Sequence, residues 1–178
     1  MLKKLDSNNL KIVVYPDPIL RKKARPVAAE DFGPELAALA QKMIELMVKH
    51  SGVGLAAPQV GLSARLIVVS VTGKPEDAEV IVNPELSNLQ GESDMEEGCL
   101  SIPGVRANVR RANSLTLAGQ DLQGNRFTAE VNDYAAVVLQ HECDHLDGVL
   151  FIDRLNSLGK LSCRKGLKNL EREYQPAR

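Results

Sequence analysis

Apolar residues recur at three- and four-residue steps through Leu36, Leu39, Ala40, Met43 and Met47, ending at His50. That spacing lines one face of a helix and buries it. The predicted helix opens at Gly33-Pro34 and runs to about residue 50; proline suits a first helical position, whose N–H has no partner within the helix. Met43 and Met47 are read as core packing. Earlier, Pro16, Pro18 and Pro26 bracket residues 19–24, which permits a short helical turn at most. Residues 51–61 are glycine-rich and contain Pro58, so a loop or irregular strand is expected. The continuous apolar run at 65–71 reads as a buried strand, and 74–77 as a polar turn. A strand at 79–83 is expected to be interrupted by Pro84, with further strands at 85–90, 105–110, 114–119 and 126–131. Gly124 marks 121–125 as a hairpin loop. Asn132 or Asp133 can cap a helix to about Leu146, and Gly148 ends it. A last helix is expected after Asn156, with Gly159 and Gly166 counting against it. Strands that come in a run between helices predict an α+β fold with mostly antiparallel sheets.

Composition narrows the class. The 178 residues, 44% hydrophobic and 25% charged, suit a single domain over 1–178, with 156–178 as a C-terminal helical tail. There is no internal repeat, low-complexity tract or long linker. Lys plus Arg total 22 against 23 Asp plus Glu, which disfavours a globally basic nucleic-acid binder but not a local patch. Aromatics are 3% and Trp is absent, so the core is aliphatic and stacking on bases is a poor expectation. No apolar run approaches the roughly 20 residues that span a bilayer. The run at 12–15 is too short for a signal-peptide core, and Met1-Leu2-Lys3-Lys4 leads into polar Asp6, Ser7, Asn8 and Asn9. Three cysteines cannot all pair within one chain. A reducing, cytoplasmic setting without membrane association is expected, where a cysteine serves as ligand or nucleophile.

The chemistry sits in the helix that precedes Gly148. His141-Glu142-Cys143-Asp144-His145 is an H-E-x-x-H pattern. His141 and His145 lie about 40° apart on a helix, so two imidazoles can converge on one metal ion. Glu142 follows the first His directly, and its carboxylate can reach a water on the metal without being a ligand. Tyr134, Val137 and Val138 share the His141 side, one to two turns earlier. They are core packing in part and, on the functional reading, an apolar pocket wall. Cys143 faces away and is read as a small buried hydrophobe. Asp144 is expected to pair with an Arg. A third ligand is needed. The segment 96–103 breaks the strand pattern with Gly98 and Pro103 and carries Cys99 between them. A lone cysteine is more often a buried structural one, but this context and a thiolate's suitability for iron or zinc favour Cys99 as the ligand. Cys163 has no such context. Three protein ligands leave a fourth position for water, as catalytic sites do, and Glu142 would accept that water's proton.

Three motifs in register resemble the peptide deformylase family: Gly52-Val53-Gly54-Leu55-Ala56-Ala57-Pro58-Gln59, Glu97-Gly98-Cys99-Leu100-Ser101 and Gln140-His141-Glu142-Cys143-Asp144-His145-Leu146. The stretch from Tyr15 to Arg21 is similar too, and the resemblance spans about Ile12 to Leu155 with no departure at a position the chemistry needs. It implies hydrolysis of the formyl group from N-formyl-methionyl nascent peptides, releasing formate. It implies one divalent metal, Fe2+ in the working enzyme with Zn2+ or Ni2+ able to substitute, held by Cys99, His141 and His145. Glu142 would be general base and then acid, and the Gln59 amide and Leu100 N–H would stabilise the oxyanion. The peptide would bind as an extended strand along Val53 and Gly54, its methionine side chain in a pocket with Val137 and Val138. Arg106 and Tyr134 would stand at the rim, with Glu97 and Gly98 beside them; Glu97 and Ser101 can also be read as shaping their loop. The implied fold is antiparallel sheets around the H-E-x-x-H helix, in a monomer.

Two other readings compete. Zincin-type proteases also use H-E-x-x-H; in one subclass a Gly and then a third His follow at three-residue steps, and here Gly148 fits but Phe151 stands in the place of the His. Others take a downstream Glu, and Glu171 and Glu173 lie near the tail without a clear motif. A non-catalytic metal-containing ribosome- or peptide-binding module would have no need of Glu142 or Gln59. Charge is split along the chain, with residues 155–178 at net +4 and 1–154 at −5. Lys160, Arg164, Lys168 and Arg172 recur every fourth residue. A solvated helix face explains that pattern; the resemblance adds ribosome docking through a C-terminal helix.

Overall fold

Three α-helices and seven strands occupy residues 10–175, the part of the chain that the computed structural model describes. The polar start at 1–9 and Arg178 of the basic tail lie outside the described residues. Helix α1 is Pro34–Lys49, with Gly33 at the N-cap position and Pro34 first in the helix. Strands β1 (Gly54–Ala56) and β2 (Leu66–Val69) follow, then β3 (Glu79–Gln90), β4 (Ser93–Cys99), β5 (Ile102–Arg111), β6 (Ser114–Gln120) and β7 (Arg126–Asn132). Helix α2 is Asp133–Leu146 and α3 is Ser157–Glu173. Among the described residues, one sheet has the order β1-β2-β3-β6-β7 and a second is the β4-β5 ribbon, all pairs antiparallel. The α+β fold with antiparallel sheets is as expected.

Each helix closes a separate apolar cluster. α1 covers one part of the core through Leu36, Leu39, Met43 and Met47 against Leu55, Leu66 and Val68. α2 packs Ala136, Val138, Leu139, Cys143 and Leu146 on Ile67, Ile81, Leu115 and Leu117. α3 packs Cys163 on Val105, Val109 and Phe151. Gly166, which weighed against α3 in the sequence, is where the helix meets β5. A Cβ there would stand 2.7 Å from the Val105 side chain, so glycine permits the approach. Asn156 caps this helix by accepting from the Gly159 N–H.

Three local expectations are corrected. Pro84 does not divide β3. The strand passes through an irregularity between Val82 and Glu85, with Asn83 at φ 50°. A bulge needs no ladder donor at the proline, and the Asn83 side chain holds both backbone groups of Val27. Cys99 does not sit in a loop but ends β4, a strand missed in the sequence. Asn132 occupies the N-cap position of α2 without a side-chain cap bond. Gly148 does terminate α2, with φ 73°, and a Cβ there would meet the Arg21 carbonyl at 2.6 Å.

Candidate active site

α2 is buried on nearly every side from Ala136 to Leu146. Its polar side chains therefore have to be satisfied by protein or by a ligand. Their positions follow from the sheets. Gln140 accepts from the Ala112 N–H at 3.0 Å and donates to its carbonyl at 2.8 Å, which fixes α2 against the end of β5. Directly after it, His141 and, one turn further, His145 face the end of β4, their ring centroids 5.0 Å apart. Cys99 Sγ lies 3.3 Å from His145 Nε2. One ligand atom from each of Cys99, His141 and His145 falls within 4.8 Å of the others.

Orientation of the cluster comes from its neighbours. Glu97 accepts from His141 Nδ1 at 2.8 Å, which leaves Nε2 for the cluster. Arg111, its side chain 1% exposed, grips both Glu97 oxygens. Phe151 lies stacked beside the His141 ring, centroids 6.3 Å apart. It occupies the position a third zincin histidine would need, and Glu171 accepts from the Tyr15 hydroxyl instead. Gln59 accepts the Ala56 N–H through Oε1 at 2.8 Å. That bond fixes its amide so that Nε2 points to Cys99 Sγ (3.5 Å) and Ser101 Oγ (3.3 Å).

The two histidines meet opposite electrostatic surroundings. Burial works against charge on His141, but hydrogen bonds to Cys99 and Glu97 and the nearby Glu142 carboxylate raise it to about 10. Burial, with His141 and Arg111 adding to it, pushes His145 well below the ordinary histidine range, toward the neutral form that ligates metals. Burial opposes the charge of Glu97, yet its bonds from His141 and Arg111 hold it below the usual carboxylate value. Glu142 differs: it is 3% exposed, its Oε2 has no hydrogen-bond partner, and burial lifts it to about 7. His145 Nδ1 is the other buried side-chain polar atom without a partner among the described residues. Two nitrogens and a sulfur, closely grouped, form a donor set that fits iron, zinc or another borderline divalent ion.

A pocket of about 360 Å³ opens over this cluster. Val53, Gly54, Gln59, Gly98, Leu100, Arg106, Tyr134, Val137 and Val138 line it with Cys99, His141 and Glu142. Glycine at position 54 leaves the Glu142 carboxyl where it stands, because a Cβ would sit 2.3 Å from Glu142 Oε1. Val137 and Val138 are buried and Tyr134 is exposed at the rim. Arg106 is exposed and 3.6 Å from Glu96. Glu97 also lines the pocket, with both of its oxygens engaged by Arg111 and His141. Arg111 itself was missed in the sequence. Val105, Ala107, Val109 and Arg111 share the inner side of β5, and an arginine continuing an apolar alternation is a readable sign of a buried cation. Cys143 is buried in the core, its thiol pushed up to about 12 by burial, and is no ligand. Asp144 pairs with Arg111 and Arg154.

A family model for polypeptide deformylase matches residues 9–161. A peptide deformylase of Acidobacterium capsulatum is 42% identical over 163 residues, covering 90% of this chain and 95% of its own. The crystal structure of a peptide deformylase from Legionella pneumophila aligns with a TM-score of 0.84 at 41% identity, over 94% of this chain and 99% of that one. A plant peptide deformylase structure gives 0.89 at 41% identity, over 93% and 90%.

Proposed function

The chain belongs to the polypeptide deformylase family, and we propose that it hydrolyses the formyl group from the N-terminal methionine of nascent polypeptides, releasing formate. The observation that carries this reading is the grouping of Cys99, His141 and His145 beside a buried, partnerless Glu142 in a pocket with an apolar wall. Those three residues would hold one divalent ion, Fe2+ in the working enzyme. When bound, it supplies Lewis acidity that polarises the formyl carbonyl and lowers the pKa of the attacking water.

The chain's own residues do the rest. Glu142 takes the proton of the attacking water and delivers it to the leaving amine. Burial raises its affinity for protons, as suits a group that must take up a proton and then release it. Gln59 Nε2, already aimed by the Ala56 bond, and the Leu100 N–H donate to the oxygen on which charge develops. The peptide lies extended along Val53 and Gly54, where the absent Cβ lets its backbone approach. Val137 and Val138 bury the methionine side chain, with Tyr134, Gly98 and Arg106 around it. Glu97 orients His141 from the pocket wall.

Incubation with a formyl-Met peptide tests this. Formate and a free amino terminus are expected in equal amounts with every peptide bond intact. Internal cleavage would instead indicate the zincin reading, and binding without formate release the non-catalytic one. The working state we propose is a cytoplasmic monomer. No helix among the described residues is long and apolar enough to cross a membrane. Contact with ribosomal RNA is proposed through α3, whose Lys160, Arg164, Lys168 and Arg172 are all exposed. Co-sedimentation with ribosomes is expected to fall steeply with salt and to be lost on truncation after Asn156.

A further inference from the structure

On the side of α2 away from the pocket, a second cleft of about 470 Å³ is lined by Asp144, Arg154, Arg111, Arg65 and Gln140, among others. Arg154 follows the short turn Phe151–Asp153. Its Nε donates to Asp144 Oδ2 at 2.6 Å and its Nη2 to Oδ1. Asp144 Oδ2 also accepts from Arg111 Nη1 at 2.8 Å. The other edge of Arg111 holds Glu97, and Glu97 holds His141 Nδ1. Five groups of alternating charge thus run from the cleft to the cation cluster: Arg154, Asp144, Arg111, Glu97, His141. Side-chain exposure is 47% at Arg154 but 9%, 1%, 7% and 11% along the rest, so water touches the ladder chiefly at its far end.

The ladder is stiff for a physical reason. Each guanidinium is a planar fork that fixes the carboxylate facing it, and each carboxylate is shared between two donors. Gln140 anchors the backbone of Ala112, next to Arg111. With Arg154 removed, the full charge of Asp144 would fall on Arg111, drawing it from Glu97 and loosening the ring of His141. We propose that Arg154 and Asp144 are positioning residues for the metal centre, acting from the second cleft through Arg111 and Glu97 to set how tightly His141 holds the ion. The inference rests on the reading of His141 as a ligand.

The test is retention of Zn2+ by the full chain against a chromophoric chelator, which requires no turnover. Arg65→Ala is the comparison, because Arg65 lines the same cleft but pairs with Asp147 and the Pro84 carbonyl, off the ladder. Direct partners of a metal-ligating histidine typically set affinity by 10- to 100-fold; about threefold or more is expected for Arg154→Ala, three links further out. Arg65→Ala is expected to match the parent, and Arg154→Lys, which lacks the fork, to recover only part of the loss. In a Glu97→Gln background, Arg154→Ala should add nothing, since its route is already cut. Equal retention in Arg154→Ala and Arg65→Ala, or full additivity with Glu97→Gln, overturns the ladder. Full metal retention by His141→Ala overturns the ligand reading itself, and the ladder with it.

Discussion

Glu142 and Asp144 stand two residues apart on one helix, both acidic and both buried, yet they face opposite ways and meet opposite treatment. Asp144 is held by two arginines, with every oxygen engaged. Glu142 has an oxygen with no partner, and Gly54 leaves room for its carboxyl. Burying a polar group without a partner costs free energy, so a fold shaped only by stability would not leave Glu142 as it is. On the proposed mechanism, the contrast separates the side of α2 that secures the structure from the side that performs chemistry.

The largest expected effect comes from removing a ligand on the chemical side. Cys99→Ala should lose nearly all bound metal, and with it activity, while folding normally; metal analysis and circular dichroism check both. Full occupancy in that variant would remove Cys99 from the centre. On the securing side the order reverses. Asp144→Asn breaks a buried ion pair, worth about 3 kcal/mol, and should lower Tm by about 6–12 °C. Its turnover per bound metal should stay within about tenfold of the parent. A variant that melts like the parent but is inactive at full metal occupancy would erase the distinction between the two sides.

A smaller effect concerns the wall beside His141. Val137 and Val138 are 3% and 5% exposed and line the pocket. Burial of an unbranched apolar side chain there contributes about 1.5–3 kcal/mol, enough for a formyl-Met peptide to exceed its formyl-Gly counterpart at least tenfold in kcat/KM. Equal values would show that the methionine side chain lies elsewhere.

The chemical side was far more legible in the sequence than the side that supports it. His141, Glu142 and His145 declare themselves by spacing on a strongly periodic helix, and Cys99 by its motif. Strand β4 was hidden because its inner position is Glu97, a charge where alternation leads one to expect an apolar residue; His141 on α2 and Arg111, more than ten residues away, make that burial tolerable. The continuity of β3 was hidden by Pro84, since a bulge is a property of pairing and not of local propensity. The partner of Asp144 could be anticipated as an arginine but not identified, because the pairing crosses from α2 to β5 and to the segment before α3. Long-range polar pairs leave little periodic trace, whereas apolar faces leave a clear one.

Glu142→Gln tests the central claim most directly, with turnover and metal content measured on the same preparation. The amide keeps the shape of the side chain and cannot accept a proton. Metal content and Tm should equal those of the parent, while kcat falls by about 10²- to 10⁴-fold, the usual contribution of a general base. A rate within a few fold of the parent at matched metal content would contradict the account and place the base elsewhere in the pocket.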